Sequence, residues 1–501
     1  MIRVKNVYIC ISVFIAFFYF TGCTNKEISK QYDSDQFIDR LDQMIPKLLD
    51  KYKTIGTAIA LIHNREIVWL KGYGLEDKET GIKITGNTVF QAASISKPVT
   101  AWAIMKLVEE GKLDLDAPVE NYLTRWHLPP SEFDAGAVTI RRLLSHTAGL
   151  SLGGFPGFHP DDPIPTLEES LSGKNSSKVE VRIMKEPGYE FDYSGGGYTL
   201  LSLLIEEVTG ELFEDYIQRE ILQPLGMKNS SYLWTENLKQ LTATGHDRKG
   251  VALPNYLYSG KGCANLYTTA KDLANFVAAA LPGPNHEAVG RNLLAPETVA
   301  LMCRSITATK GDINLFFDSV GLGYFIDTYE DGTKLIAHTG SNRGWRNIFA
   351  FFPETGDGLV FLSNSNNGRN VYVKILQQWS IWITGKTPKI CIFFNTTFYI
   401  SGAIAIILML CLMLYIIRNI RTNIFTNRIL FWKIQNKPLW RKVLRVLFHI
   451  ILPVILTSFW YLFLHPLLSD ISPLTSGWVT LGVFSWGIIA IATGIFSKLK
   501  S

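Results

Sequence analysis

Cysteine is scarce in this chain of 501 residues, and its distribution excludes a fold held together by disulfides. Of the six cysteines, only Cys263 and Cys303 lie away from long apolar runs. Two cysteines cannot form a disulfide framework, so they either bridge once or remain two unpaired buried thiols. Ligand spacings typical of a metal site are also missing, and no metal or cofactor is expected. The other four cysteines lie in or beside apolar runs: Cys10, Cys23, Cys391 and Cys411.

Acidic residues are nearly absent outside residues 24–385. That range holds 43 of the 44 Asp and Glu but only 35 of the 49 Lys and Arg, so its net charge is −8, although the whole chain carries +5. An acidic domain lacks the basic surface that nucleic acid requires, and nucleic-acid binding is not expected. Internal repeats and low-complexity tracts are absent as well. Residues 24–385 therefore have the mixed composition of a folded soluble domain.

The first 23 residues predict a signal peptide. Arg3 and Lys5 precede an uncharged run from Val7 to Phe20, which at about 14 to 16 residues is short for a membrane-spanning helix of about 20. The run ends in Thr21-Gly22-Cys23, and together with Phe20 this resembles the lipobox of bacterial lipoproteins. Cys23 is therefore the predicted lipidation site. A plain signal peptide with an incidental cysteine is the alternative.

Residues 386–501 predict a membrane region. Three apolar segments, at about 398–417, 446–464 and 474–496, are each long enough to cross a bilayer. The loop from Arg418 to Arg445 contains eight Lys and Arg and no acid. By the positive-inside rule this loop is cytoplasmic, which places residues 24–385 on the outer side of a bacterial cell membrane. Membrane lipid is therefore an expected partner.

Residues 24–385 predict an α+β fold. The runs Gly56–Ile62 and Ile67–Leu70, separated by four polar residues, predict an antiparallel hairpin. Helical spacing of apolar residues predicts helices at Pro98–Glu110 and Tyr198–Val208. Strands at both ends with helices between them favour one antiparallel sheet with an inserted helical region. Late strands are predicted at Lys334–Ala337, Asn347–Phe352 and Gly358–Leu362.

Ser94 and Lys97 are the candidate catalytic pair. The tetrapeptide Ser94-Ile95-Ser96-Lys97 opens a predicted helix, and its i, i+3 spacing stacks the serine hydroxyl and the lysine amine on one face. A serine hydroxyl becomes a good nucleophile only when a neighbouring group accepts its proton. Taken alone, the tetrapeptide is a weak signal, because a capping serine followed by a solvated lysine looks the same.

The sequence around this pair strengthens the signal. The chain resembles the serine β-lactamase and penicillin-binding-protein family, of the class C β-lactamase type, over most of residues 40–370. The resemblance rests on many motifs in the family's order: Asn87 to Pro98, Leu107 to Asp116, Val138 to Leu150, Pro187-Gly188, Tyr193-Ser194, Pro224 to Met227 and His338-Thr339-Gly340.

The resemblance implies a β-lactamase/transpeptidase-like fold and a serine hydrolase site. It implies that Ser94 is the acylated nucleophile, that Lys97 is its proton partner and that Tyr193 moves protons beside them. The triplet His338, Thr339 and Gly340 would bound the site and bind substrate. The backbone N–H groups of Ser94 and Ser341 would form the oxyanion hole.

Two departures from the family pattern stand out. Gly195 replaces an asparagine that the family often has, which removes a side-chain amide from the site. His338 replaces a lysine, so we expect the charge facing a substrate carboxylate to titrate near the ordinary histidine pKa of roughly 6.5. His146, in a Ser-His-Thr-Ala-Gly turn, is interpreted as a structural histidine that binds loop backbone.

The function expected from these features is hydrolysis at the outer face of the membrane, through an acyl-enzyme on Ser94. The candidate substrates are D-amino-acid peptides, β-lactams and esters. A ligand-binding or sensing module coupled to the membrane helices is the alternative. Against it stand a predicted cytoplasmic loop of about 28 residues, which is too short for an output domain, and the presence of Ser94, Lys97 and Tyr193 together.

Overall fold

The computed structural model describes residues 33–421, 428–430, 438–447, 451–465 and 473–498. The predicted signal peptide and Cys23 lie outside these residues. The chain divides into two compact units, one ending at Cys391 and the other beginning at Ile392.

An eight-stranded antiparallel sheet forms the framework of the first unit, in the order β2-β1-β10-β9-β8-β7-β6-β5. The first two strands come from the beginning of the domain and the others from its end, so the helical residues between them form an insertion. A separate antiparallel pair, β3 with β4, lies within that insertion. The strands are β1 Gly56–His63, β2 Glu66–Gly74, β3 Phe90–Ala93, β4 Leu266–Thr268, β5 Thr307–Ala308, β6 Ser319–Val320, β7 Phe325–Thr328, β8 Lys334–Asn342, β9 Trp345–Phe352 and β10 Asp357–Ser363.

Helices cover both faces of the sheet. On one face Trp102 donates from Nε1 to the hydroxyl of Tyr324 (2.7 Å) within the main apolar core. On the other face the rings of Phe37 and Trp382 stack at 4.2 Å. The helices of this unit are α1 Ser34–Tyr52, α2 Ser96–Glu109, α3 Ile140–Leu144, α4 Leu167–Glu169, α5 Gly195–Thr209, α6 Phe213–Ile217, α7 Glu236–Leu241, α8 Lys261–Ala264, α9 Ala270–Ala279, α10 Pro296–Met302 and α11 Gly368–Thr384, with α12 Lys389–Arg421 starting in this unit and ending in the second.

Short turns of other helix types complete the first unit. They are 3₁₀ turns at Val119–Tyr122, Ala135–Ala137 and Gly311–Leu315, and π turns at Ser170–Lys174 and Gln218–Leu222.

The predicted α+β fold is confirmed. The hairpin forms as β1 and β2, and the three late strands form as β8, β9 and β10. The predicted helices become α2 and α5, and each stops where a glycine follows. Gly111 (φ 69°) lies just after α2, and Gly210 (φ 72°) caps α5, because both positions need the left-handed backbone that glycine adopts without cost.

The second unit contains helical segments, but only part of the predicted membrane region has the expected length. Among the described residues, one helix is long and apolar enough to cross a membrane, over Lys389–Cys411. It starts nine residues before the predicted segment 398–417. Shorter apolar stretches lie at Leu452–Leu462 and Ser476–Ile489. The elements here are α13 Leu439–Val446, α14 Leu452–Phe459, a π turn at Trp460–Leu464, α15 Pro473–Ile495, and paired strands β11 Arg428–Leu430 and β12 Phe496–Lys498.

The alternative that Cys263 and Cys303 form a bridge is not what the structure shows. Both are free thiols, Cys263 buried and Cys303 partly buried. Burial raises the pKa of each thiol, so both are neutral at physiological pH.

Candidate active site

Ser94 lies in a tight turn between β3 and α2. Ala93, directly before it, has a φ of 55°, a left-handed conformation that costs a residue with a side chain about 1–3 kcal/mol. Ser96 stabilises the turn, because its Oγ donates to the carbonyl of Ala93 (2.6 Å) and accepts the backbone N–H of Leu266 (2.9 Å). Ser94 is half-buried, whereas Ser96 and Lys97 are buried. Ser94 is therefore the hydroxyl of this turn that a substrate can reach.

Lys97 lies in contact with Ser94. Its side chain is only 2 % exposed, and Nζ donates to Ser94 Oγ (3.2 Å) and to the carbonyl of Cys263 (2.8 Å). Nζ also lies 4.9 Å from the ring centroid of Tyr193 and 5.7 Å from that of Tyr198. The structure thus brings Ser94, Lys97 and Tyr193 together, and the i, i+3 stacking expected from the sequence is present.

Tyr193 is held from behind by His146. Tyr193 immediately precedes Ser194, the residue that caps α5 by accepting the N–H of Gly197 (3.0 Å). The Nδ1 of His146 accepts the backbone N–H of Ser194 (3.2 Å), and the rings of His146 and Tyr193 are 4.4 Å apart. Burial and the positive charge of Lys97 lower the pKa of His146 well below its usual value, so the ring stays neutral and can accept this bond. His146 therefore binds loop backbone, as interpreted from the sequence.

Gly340 lets β8 pass directly against β3. A Cβ at this position would lie 2.0 Å from the carbonyl oxygen of Ala92, two residues before Ser94. No other residue type fits so close an approach of two backbones. The contact brings Ser341, the second predicted oxyanion donor, to the nucleophile turn. Thr339 is partly buried and Ser341 is exposed, and Arg369 donates from Nη2 to Ser341 Oγ (3.3 Å).

His338 corrects one sequence expectation. Its side chain is 2 % exposed, and its Nδ1–H donates to the carbonyl of Thr339 (2.8 Å). Burial, with the nearby charge of Lys97 as a second cause, lowers the pKa of His338 to about 3. The ring is therefore neutral at every physiological pH, with its proton on Nδ1 and a lone pair on Nε2. The expectation that His338 titrates near 6.5 is wrong, because the sequence did not show how deeply β8 is buried.

A neighbouring loop leaves little room for a side chain at position 195. A Cβ at Gly195 would lie 3.1 Å from the carbonyl oxygen of Gly153 and 3.3 Å from the ring of Phe155. The backbone N–H of Gly195 donates to that same carbonyl (3.2 Å). The loop around Gly153 thus occupies the space into which an asparagine side chain would project.

An aromatic wall beside Tyr193 and His338 was missed from the sequence. Phe325, the first residue of β7, stacks on His338 with ring centroids 4.8 Å apart and on Tyr193 at 6.2 Å. Phe317 in turn stacks on Phe325 at 5.1 Å, with the planes 9° apart. The signal available was the run Tyr324-Phe325-Ile326, whose aromatic and β-branched composition favours a strand. We refer to Phe317 and Phe325 as the aromatic wall.

Among the described residues, no group of three or more His, Cys, Asp and Glu side chains is placed so that it could hold a metal ion. The chemistry that these residues can perform is acyl transfer, in which a hydroxyl nucleophile and a buried amine lie within hydrogen-bonding distance.

The antiparallel sheet, the helical insertion and the Ser94–Lys97 turn together define a class, the β-lactamase- and transpeptidase-like proteins. Residues 41–378, more than half of the chain, match the family model described as Beta-lactamase. The chain belongs to the β-lactamase family.

Relatives and solved structures agree with this membership. "Protein flp" of Staphylococcus aureus strain N315 is 27% identical over 346 residues, which cover 67% of this chain and 64% of that protein. The chain thus spans less than two thirds of the length of this curated relative. A structure of an octameric penicillin-binding protein homologue from Pyrococcus abyssi is 28% identical, with a TM-score of 0.59 over 70% of this chain and 78% of that one.

A third similar protein has a named enzymatic activity. The structure of a D-amino acid amidase from Ochrobactrum anthropi SV3, complexed with D-phenylalanine, is 25% identical to this chain. Its TM-score is 0.54, and the match covers 65% of this chain and 92% of the amidase.

Proposed function

We propose that this protein is a serine hydrolase that forms an acyl-enzyme on Ser94 with amide or ester substrates. The observation that carries the proposal is the 3.2 Å contact between Lys97 Nζ and Ser94 Oγ, made by a lysine that is almost fully buried. A solvated lysine that merely follows a capping serine would extend into water. Here the amine is instead held between the carbonyl of Cys263 and the ring of Tyr193.

The arrangement supports a two-step reaction. Ser94 Oγ attacks the substrate carbonyl while its proton passes to the Lys97–Tyr193 pair, which accepts it as a free amine or a phenolate, and the leaving group takes up that proton as it departs. Backbone N–H groups of Ser94 and Ser341 stabilise the oxyanion, a contribution of roughly 3 to 4 kcal/mol per donor in other hydrolases. Water then attacks the acyl group and gives a proton to the same pair, which passes it to Ser94 Oγ as the acyl–oxygen bond breaks and the acid is released.

The proposed substrates are D-amino-acid amides and peptides, β-lactams and small esters. Similarity to a D-amino acid amidase supports the first class. A neutral His338 and the missing side chain at Gly195 remove a cation and an amide that would hold a β-lactam carboxylate and its side-chain amide, so we rank β-lactams below the other two.

Activity assays on the full chain in detergent test this proposal. The purified protein is incubated with a D-alanyl-D-alanine peptide, a D-amino acid amide, p-nitrophenyl esters and a fluorescent penicillin, and covalent labelling by a fluorophosphonate is followed in parallel. We expect labelling at Ser94 and hydrolysis of at least one amide or ester. Labelling of Ser94→Ala at the wild-type rate would show that the nucleophile is a different residue.

We also propose that the protein is anchored in a bacterial cell membrane by its C-terminal region, with the hydrolase on the outer side. Support comes from the candidate span Lys389–Cys411 and from the positive charges between Arg418 and Arg445. A reporter fused after Thr384 should behave as extracytoplasmic and one fused after Asn436 as cytoplasmic. The reverse pattern would place the hydrolase in the cytosol.

A further inference from the structure

Two carboxylates, one on β7 and one just before β6, bind the first residue of α12. The backbone N–H of Lys389 donates to Oδ2 of Asp327 (2.7 Å), and its Nζ donates to Oδ1 of Asp318 (2.7 Å). Asp327 lies in β7 and is only 3 % exposed. Asp318 directly precedes β6, and its second oxygen accepts the N–H of Thr328 (3.0 Å). One residue, Lys389, therefore ties together two neighbouring segments of the sheet.

The same two segments carry the aromatic wall. Phe317 is the residue before Asp318, and Phe325 lies two residues before Asp327 on the same short strand. The two rings stack on each other, and Phe325 stacks on both His338 and Tyr193. The acidic ends of the segments thus meet Lys389, while their aromatic ends meet the residues beside Ser94.

The two carboxylates also interact directly with each other, and Lys389 supplies a positive charge beside them. Burial, followed by the hydrogen bond and charge of Asp318, raises the pKa of Asp327 to about 7, whereas the pKa of Asp318 is lowered, since its bonds to Lys389 and Thr328 outweigh burial. The titratable groups that face Asp327 are Asp318, Lys389, Tyr329 and Cys391. Of these only Lys389 carries a positive charge, so it alone offsets the charge of the acid pair.

A second link fixes the chain that leads into α12. The hydroxyl of Tyr329, the residue after β7, hydrogen-bonds to Ser380 Oγ (3.0 Å) on α11, and Ser380 donates to the carbonyl of Lys386 (2.8 Å). The start of α12 is thus held against β7 from two directions.

We propose that Lys389 is a positioning residue for the active site: by joining Asp318 and Asp327 it holds the aromatic wall against Tyr193 and His338, so that the reactivity of Ser94 depends on the docked first turn of α12. The inference rests on the proposed function of Ser94. Lys389 touches no reacting atom, and acts only through the wall. Displacing a catalytic group by about 1 Å can cost up to about a hundredfold in rate, so a small shift of the wall is enough to be measured.

Labelling of Ser94 in the full chain by a fluorophosphonate provides the test, because it does not depend on knowing the natural substrate. Both the rate constant at saturation and the half-saturating concentration are measured. In Lys389→Met and in Asp318→Asn we expect the rate constant to fall about tenfold, with the half-saturating concentration within about twofold, because the wall positions Tyr193 rather than binding the probe. Lys389→Arg, which keeps the positive charge that Lys389→Met removes, should retain most of the rate.

The matched control is Lys71→Met. Lys71 and Asp42 form an ion pair of similar length (2.8 Å) and exposure at the opposite edge of the sheet, on β2. We expect this variant to label like the wild type. The double variant Lys389→Met with Asp318→Asn should be no slower than either single variant, because both remove the same link.

Several outcomes would overturn the inference. They are an unchanged rate in Lys389→Met, an equal loss in Lys71→Met, or additive losses in the double variant. A loss that Lys389→Arg does not restore would also overturn it, and thermal unfolding of each variant shows whether the fold is intact. Wild-type protein that does not label at Ser94 would contradict the proposed function itself, which is a different result from unchanged labelling of the variants.

Discussion

The Ser94 turn and the β6–β7 region of the sheet are proposed to serve the same site by different means. Ser94 and Lys97 are three residues apart, and a single helical turn brings their side chains together. Phe325, Asp327 and Lys389 are spread over more than sixty residues, and only the packing of the sheet and α12 brings them together. In the proposed site, therefore, the reacting groups are local in sequence, while the residues proposed to hold them in place are not.

The two regions also treat charge differently. Around Ser94, burial and then the charge of Lys97 lower the pKa of both His146 and His338, so both rings stay neutral. In the β6–β7 region a cation meets two acids, and the acids titrate as a pair. Changes of pH between 5 and 9 should therefore act on the β6–β7 region through Asp327 and leave both histidines unaffected.

The largest effect is expected at the nucleophile turn. Ser94→Ala and Lys97→Ala should each lower ester or amide hydrolysis on the order of a thousandfold or more, because hydroxyl and proton acceptor act as one unit. The double variant should be no worse than the singles, measured as kcat/KM on the full chain. Losses that multiply in the double variant would show that Ser94 and Lys97 act independently. The contrast between this local pair and the residues around β7, which are far apart in sequence, would then no longer hold.

A second prediction concerns the contact that joins β8 to the nucleophile turn. In Gly340→Ala the new Cβ meets a backbone carbonyl, which cannot move away like a flexible side chain. We expect a loss of about 1–3 kcal/mol in the free energy of unfolding, together with reduced labelling of Ser94. Gly477→Ala, where a Cβ meets nothing within 4 Å, is the control. If Gly340→Ala lost no more stability than Gly477→Ala, the close approach of Gly340 to the carbonyl of Ala92 would be contradicted.

The titration of Asp327 gives a smaller, pH-dependent effect. Its folded-state pKa is raised to about 7, so its contribution favours the folded protein below the unfolded pKa near 3.9 and is lost as pH rises through about 7. Asp327→Asn keeps an acceptor for the N–H of Lys389 and never ionises. Its Tm relative to the wild type should therefore rise between pH 5 and 8, by on the order of 2–4 °C.

The control for that measurement is Asp116→Asn, because the hydrogen bond and charge of Arg141 lower the pKa of Asp116 and keep this carboxylate ionised over the same range. The Tm of this variant relative to the wild type should stay level. If the Tm difference between Asp327→Asn and the wild type were the same at every pH, the carboxyl of Asp327 would keep one protonation state from pH 5 to 8.

The last prediction is that His338 gives no pH dependence to the binding of a substrate carboxylate. Because His338 stays neutral, KM for a carboxylate-bearing substrate and for its matched methyl ester should follow parallel curves from pH 5 to 9. This result would sharpen the contrast with the β6–β7 region, where pH is expected to matter. Weakening of acid binding alone between pH 6 and 7 would show that His338 titrates when substrate is bound.

The sequence alone determined the family, the α+β fold and the residues at the centre of the site. These are features of short range: apolar periodicity predicts helices and strands, and a serine three residues before a lysine predicts their contact once a helix forms. The order of many short motifs along the chain then identifies the family, because each motif forms one local turn or strand. The strand β7 and the starting point of α12 were not found, because neither has a strong local pattern.

Tertiary structure decided how these residues are surrounded. The neutrality of His338 follows from its burial and from the charge of Lys97, which is 241 positions away in the chain. The loss of an asparagine at Gly195 follows from a loop that fills its space, and the link from Lys389 to the aromatic wall follows from strands that pair across long separations. Burial and charge environment depend on every segment that packs nearby, so no local pattern in the sequence carries them.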